Sequence, residues 1–102
     1  MEVGTEVMEM VSYGGEARSK ALQAIRFSRK KDFVNCEVCI RECEEKLAAA
    51  HEIQTSLIQN ECAGGKTEIS MLMIHAQDHL MNAITVYDLA KEMIAAYRGE
   101  GE

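Results

Sequence analysis

The sequence predicts an all-α protein, and three observations support that prediction. Apolar residues recur at alternating steps of three and four along residues 3–24, 33–57 and 69–97. This spacing is typical of helices that pack at shallow crossing angles. Proline is absent from the 102 residues and β-branched residues are thinly scattered, so little in the chain favours strands.

We predict a single domain over residues 1–102, since a chain of this length suggests one domain. The helices are placed at about residues 3–28, 32–62 and 67–98, with a flexible tail at residues 99–102. Each helix would be roughly 40 Å long at about 1.5 Å per residue. The fold expected from these lengths is a bundle.

The two breaks between the helices differ in how clearly the sequence marks them. The glycine pair at 64–65 ends the second helix, and Thr67 can cap the third. The basic residues at 29–31 suit a helix C-terminus and Asp32 suits an N-cap, but no glycine or proline enforces a turn there. From the pattern alone, the first two helices could be one.

Composition and charge exclude several classes of protein. The formal net charge of −6 argues against nucleic-acid binding, which rests on basic residues that neutralise phosphates. The sequence has no run of 18 apolar residues and no basic start followed by an apolar segment, so we predict neither membrane insertion nor a signal peptide. The four cysteines are then expected to be reduced thiols in the cytoplasm.

Three of the cysteines, Cys36, Cys39 and Cys43, share one helical face, and Cys62 follows later. A thiolate metal or iron–sulfur site is one interpretation. However, Cys36 and Cys43 occupy apolar seam positions, where cysteine behaves as a small buried hydrophobe. Structural zinc sites also draw paired ligands from turns more often than from one straight helix. We therefore predict that these cysteines pack in the core.

The third helix carries apolar residues on both sides of its seam, which suggests self-association. A single buried stripe does not need these flanking residues, and a three-helix hairpin covers a second face with difficulty. The flanking residues on this helix are Leu72, Ile84, Leu89 and Met93.

The stretch "IHAQDHL" places His75, Asp78 and His79 within about one turn of this helix. The spacing of His75 and His79, four residues apart, allows a helix to offer two imidazoles to one metal ion. No glutamate follows His75 as in H-E-x-x-H, so protease chemistry has weak support. The two histidines also fit a solvated strip without chemistry.

A third interpretation makes one imidazole a nucleophile. Neutral imidazole attacks phosphorus and leaves readily near its ordinary pKa of about 6.5. Neighbouring groups would have to fix its tautomer and hold phosphoryl oxygens, and Gln77, Asp78, His79 and Asn82 lie within two turns of His75. These residues alone do not rank phosphotransfer above metal binding.

The chain resembles a known family in four places. "MLMIHAQDHLMNAI" is similar to the active-site helix of the lactose/cellobiose/chitobiose-type enzyme IIA family of the bacterial phosphoenolpyruvate:sugar phosphotransferase system. "SYGGEARSKALQAI" resembles the first helix of that family and "KDFVNCEVCIRECEEKLAAAHEIQTSLI" the second, and the glycine loop also matches. The resemblance covers about residues 5–98. The family's usual Asn-Gly turn is replaced here by residues 28–31, and the cysteines match no family feature.

The resemblance implies roles for three residues. His75 would be phosphorylated by the histidine phosphocarrier protein and would pass the phosphate to a cysteine of enzyme IIB, which works with the membrane enzyme IIC. Gln77 would help to position the phosphoryl group. Asp78 would share one divalent cation, Mg²⁺ by expectation, with two further copies on a trimer axis. His79 has no phosphoacceptor role in the family.

The fold implied is an antiparallel three-helix bundle, three of which form a homotrimeric nine-helix assembly. Gln54, at a seam position, would then be a buried polar group that fixes register. The system would import and phosphorylate a disaccharide of the lactose, cellobiose or chitobiose type. The alternative from another class is a non-catalytic metal-binding or scaffolding bundle that uses His75, Asp78 and His79.

Overall fold

The structure, a computed structural model, describes residues 4–99 and consists of three helices. They are α1 (Gly4–Arg29), α2 (Phe33–Cys62) and α3 (Met71–Arg98), in an antiparallel bundle that measures 49 × 25 × 19 Å. α1 packs along both other helices, whereas α2 and α3 contact each other little. The predicted all-α three-helix fold is confirmed. Residue 3 and residues 100–102, which the predicted helix one and tail include, lie outside the described residues.

A tight turn separates α1 from α2, so the two are not one helix. The Asp32 N–H donates to the Phe27 carbonyl at 2.9 Å, and the Lys31 N–H donates to the Ser28 carbonyl at 3.0 Å. This pair of bonds is a Schellman motif, which requires a left-handed residue, and Lys31 supplies it with φ of 66°. The Asp32 carboxylate then accepts from the Asn35 N–H at 3.2 Å and caps α2, as predicted.

Replacing Lys31 with glycine is expected to stabilise the protein. A side chain in the left-handed region costs about 1–2 kcal/mol. Against this, Lys31 donates from its Nζ to the Tyr97 carbonyl at the end of α3, an exposed contact that contributes less than about 1 kcal/mol. The free energy of unfolding in urea should therefore rise by about 0.5 kcal/mol.

The neighbouring residue provides the control for this prediction. Lys30 precedes Lys31 and has a negative φ, so glycine at this position relieves no strain and only adds freedom to the unfolded chain. Lys30→Gly should lower the free energy of unfolding. A Lys31→Gly protein less stable than the wild type would contradict our interpretation of the turn.

The start of α3 differs from the sequence-based prediction. Thr67 was expected to cap this helix, but Ser70 is the N-cap: its backbone is extended and its hydroxyl accepts from the Met73 N–H at 3.1 Å. A serine oxygen caps at least as well as a threonine oxygen. With this start, Met73, which is buried, lies in the first turn, while Ile69, predicted to lie on the seam, is 81% exposed. The end of α2 is as predicted, with Gly64 at φ of 94°.

Small side chains on α1 allow the helices to approach closely. The buried seam of this central helix is dominated by glycine, alanine and serine in its middle and C-terminal half, namely Gly14, Ala17, Ala21, Ala24 and Ser28. Small residues let neighbouring backbones approach within the short end of the usual interhelical range of about 8–10 Å. No helix within residues 4–99 has the length and hydrophobicity that crossing a membrane requires.

Three of the four cysteines of α2 fill the core beside this seam, as predicted. Cys36 and Cys43 are fully buried and Cys39 nearly so, whereas Cys62 is exposed. Burial raises the pKa of all three core thiols, and raises that of Cys43 from 9.0 to about 11. The thiolate is the nucleophile and metal ligand, so these side chains stay protonated and unreactive at neutral pH.

Alanine replacements of the core cysteines should therefore affect stability alone. Cys36→Ala, Cys39→Ala and Cys43→Ala are each expected to lower the free energy of unfolding by about 1 kcal/mol, because each leaves a poorly filled site. The phosphotransfer that the family resemblance implies should survive in the triple variant. Stoichiometric zinc or iron in the wild type that the triple variant loses would overturn the packing role.

Candidate functional site

Two imidazoles stand together on the N-terminal half of α3. The His75 side chain is exposed and that of His79 is half-buried. Residues four apart are neighbours on a helix surface, and here the two ring centroids are 4.4 Å apart with the ring planes tilted by 55°. The His75 ring is thus accessible on one side and supported by a second ring on the other.

A pair of glycines in α1 makes room for the inner imidazole. A Cβ atom at Gly14 would lie 3.3 Å from the Cβ and backbone carbonyl of His79, which is tighter than ordinary contact. A Cβ atom at Gly15 would lie 3.8 Å from the Cε1 and Nδ1 atoms of its ring. A glycine inside a helix destabilises it by about 0.5–1 kcal/mol relative to alanine. Two adjacent glycines in the middle of a predicted helix are therefore a sequence signal of a close contact at that point.

Gln77 is held on another side of α3. Its Oε1 accepts from the Gln54 Nε2 of α2 at 2.7 Å, so the half-buried Gln54 makes the polar contact between helices that its seam position suggested. Residues two apart on a helix do not face each other. Within one chain, therefore, the structure does not bring Gln77 to His75. Gln77 instead lines a groove with Ile58 and Ile69.

Asp78 lies in the middle of an exposed apolar face. Its Oδ2 accepts from the Asn82 Nδ2 at 3.2 Å, and its side chain is open to solvent. Four apolar side chains at helical spacing flank it on both sides and are more than half exposed: Met71, Ile74, Met81 and Leu89. We call these four residues together with Asp78 the α3 stripe. A second apolar face is thus present and uncovered in the single chain, but only Leu89 of the predicted flanking residues belongs to it. Leu72 and Met93 are also exposed, whereas Ile84 packs against the core.

A carboxylate oxygen such as that of Asp78 is the hard ligand that Mg²⁺ prefers. Within residues 4–99, however, no three histidine, cysteine, aspartate or glutamate side chains of one chain are arranged to hold a metal ion. His75 and His79 contact each other through their rings, and Asp78 bonds Asn82. Asp78 fits a site only as one ligand among those of several chains.

The fold and this site define a class: a small helical bundle that presents an accessible imidazole on its last helix. The family model described as "PTS system, Lactose/Cellobiose specific IIA subunit" matches residues 5–98. The chain belongs to this family of the phosphoenolpyruvate:sugar phosphotransferase system, as its resemblance indicated. Its role is in phosphotransfer.

Individual relatives agree with this assignment. The lichenan-specific phosphotransferase enzyme IIA component of Bacillus subtilis is 45% identical over 91 residues, which cover 89% of this chain and 83% of that protein. The crystal structure of the cellobiose-specific enzyme IIA of Bacillus anthracis superposes with a TM-score of 0.92 at 41% identity, over 97% and 91% of the two chains. The chitobiose IIA–HPr complex of Escherichia coli gives 0.81 at 30% identity, over 97% and 96%.

Proposed function

We propose that this chain carries a phosphoryl group on His75 between the histidine phosphocarrier protein and enzyme IIB. The accessibility of the His75 ring is the observation that carries the proposal, because a partner's phosphohistidine has to reach a ring nitrogen directly. A relative of the same fold is solved in complex with HPr, which supports the phosphocarrier as donor.

The transfer consists of two substitutions at phosphorus. A lone pair on a His75 ring nitrogen attacks the phosphorus of the donor's phosphohistidine, and the new N–P bond forms as the old one breaks and its electron pair returns to the donor imidazole. In the second step a cysteine thiolate of enzyme IIB attacks, an S–P bond forms, and the N–P electron pair returns to His75. Imidazole suits both steps because it is a good nucleophile and a good leaving group near neutral pH.

Assembly into a homotrimer, with nine helices in all, is part of the proposal. The α3 stripe is an exposed apolar surface on a monomer, and surfaces of this kind mark interaction sites. Three such stripes around one axis would place three Asp78 carboxylates together. One divalent cation, Mg²⁺ by the hardness of the oxygen ligands, would neutralise their repulsion.

Gln77 would act across the boundary between two copies. Since it faces away from His75 of its own chain, it can help to hold a phosphoryl group only on His75 of a neighbouring copy. Its hydrogen bond with Gln54 fixes the amide in the groove between α2 and α3. We propose that the transported sugar is a disaccharide of the lactose, cellobiose or chitobiose type; lactose- and cellobiose-specific relatives support this type.

A mass measurement tests this function. The purified chain is incubated with phosphoenolpyruvate, enzyme I and the phosphocarrier, and the intact mass is recorded at alkaline and acidic pH. We expect one phosphoryl group per chain that is stable to base, is lost in acid and maps to the peptide with residues 71–98. The scaffolding or metal-binding alternative predicts no added phosphate, and a chain that gains none is not a phosphocarrier.

A further inference from the structure

We infer that His79 is a positioning residue for His75 and acts through ring contact on a seat provided by Gly14 and Gly15. This inference rests on the proposed function, since it concerns how the phosphoacceptor is presented. His79 would not itself carry phosphate. Its imidazole would restrict His75 to an orientation in which one edge of the ring faces the incoming partner.

The burial of the two rings supports different roles for them. An exposed side chain such as His75 ordinarily moves between rotamers on a picosecond-to-nanosecond timescale. The His79 ring is half-buried, and its backbone is pressed against α1 where Gly14 has no side chain. The restrained ring lies 4.4 Å from the mobile one and can therefore limit its motion.

The two glycines explain why the His79 ring lies so close to α1. An ordinary side chain at Gly14 would push the α3 backbone outward at His79, because even a Cβ atom would approach it to 3.3 Å. A long side chain at Gly15 would compete with the ring for the same space, since the ring atoms Cε1 and Nδ1 already lie within contact distance. Two glycines in this turn thus leave His79 as the group that fills the gap below His75.

The contact between the rings is one of packing and orientation. No hydrogen bond joins His75 to His79 among the bonds of residues 4–99, and the ring planes are tilted by 55°, between a stacked and an edge-to-face arrangement. Aromatic rings in such arrangements attract each other beyond their buried area. Orientation matters for transfer because misplacement of a reacting atom by about 1 Å can cost on the order of 100-fold in rate.

The inference is tested with the full chain carrying His79→Ala or His79→Phe, with His51→Ala as the matched control. His51 is an exposed histidine on α2. The rate of phosphoryl transfer is followed by quench and mass analysis over a range of phosphocarrier concentrations. His79→Ala should lower the limiting rate by at least about tenfold and change the half-saturating concentration by less than about twofold.

His79→Phe keeps a planar ring and removes the polar atoms, so it separates ring contact from hydrogen bonding. It should recover most of the rate that His79→Ala loses, and His51→Ala should match the wild type. A His79→Ala protein that transfers at the wild-type rate would overturn the inference. So would a His79→Phe protein no faster than His79→Ala.

A second measurement is independent of phosphate. In ¹⁵N-labelled protein, three-bond couplings to the His75 side chain report whether it occupies one rotamer. We expect a single rotamer in the wild type and in His79→Phe, and averaged couplings in His79→Ala. If the wild type gains no phosphate, the proposed function fails while these couplings still decide the positioning role; unchanged couplings in His79→Ala would refute it.

Discussion

Replacing His75 with alanine should abolish acid-labile phosphorylation of this chain. The exposed ring supplies the nucleophilic nitrogen, and loss of a nucleophile that forms the covalent intermediate leaves no chemical route for transfer. We expect no detectable phosphoryl mass with phosphoenolpyruvate, enzyme I and the phosphocarrier under conditions that fully convert the wild type. Stability should change little, because an exposed side chain away from caps and core contributes within about 0.5 kcal/mol.

The other two histidines of the chain serve as controls for this experiment. His51→Ala should be phosphorylated as the wild type is. His79→Ala should retain a measurable level, since His79 orients the acceptor and does not accept phosphate. Normal stoichiometry on the His75→Ala protein would refute the assignment, and the phosphorylated peptide would then identify the true acceptor.

Replacing Asp78 with leucine should leave a trimer that has lost its divalent cation. Asp78 is the charged member of an otherwise apolar stripe, and three copies at one axis would repel each other strongly without a cation between them. Leucine removes both the repulsion and the oxygen ligands. Replacing a buried cluster of charges with apolar side chains often leaves stability unchanged or raises it by about 1–4 kcal/mol. The variant trimer should therefore be at least as stable as the wild type.

Light scattering and elemental analysis decide this prediction. The wild type should have the mass of three chains with one divalent cation per trimer, and Asp78→Leu the same mass without the cation. Glu45→Leu is the control, because Glu45 is an exposed carboxylate on α2 and so lies outside the α3 stripe; its trimer should keep the cation. A monomeric wild type, or an Asp78→Leu trimer that still binds the cation, would place Asp78 away from any such axis.

The sequence by itself determined the all-α class and most helix ends, because these depend on local chemistry. Apolar spacing of three and four marks a helix whatever surrounds it, and Asp32 and the glycine at 64 act within their own turns. The predicted start of α3 was wrong because local chemistry does not distinguish the two candidate caps. Thr67 and Ser70 are both good N-cap residues, and packing of the first turn of the helix selects Ser70.

The tertiary structure decided which residues meet across helices. Helix periodicity placed His75 and His79 side by side from the sequence alone, but it could not show that the Gly14-Gly15 pair receives His79 or that Gln54 binds Gln77, since these contacts join residues far apart in the chain. It likewise could not settle whether the apolar residues beside the third seam were buried within one chain. Of those residues, the structure leaves Leu89 exposed together with Met71, Ile74 and Met81 but packs Ile84 against the core. Within residues 4–99, α1 packs along α3 and α2 contacts it little, and a helix packed along one side retains an open face.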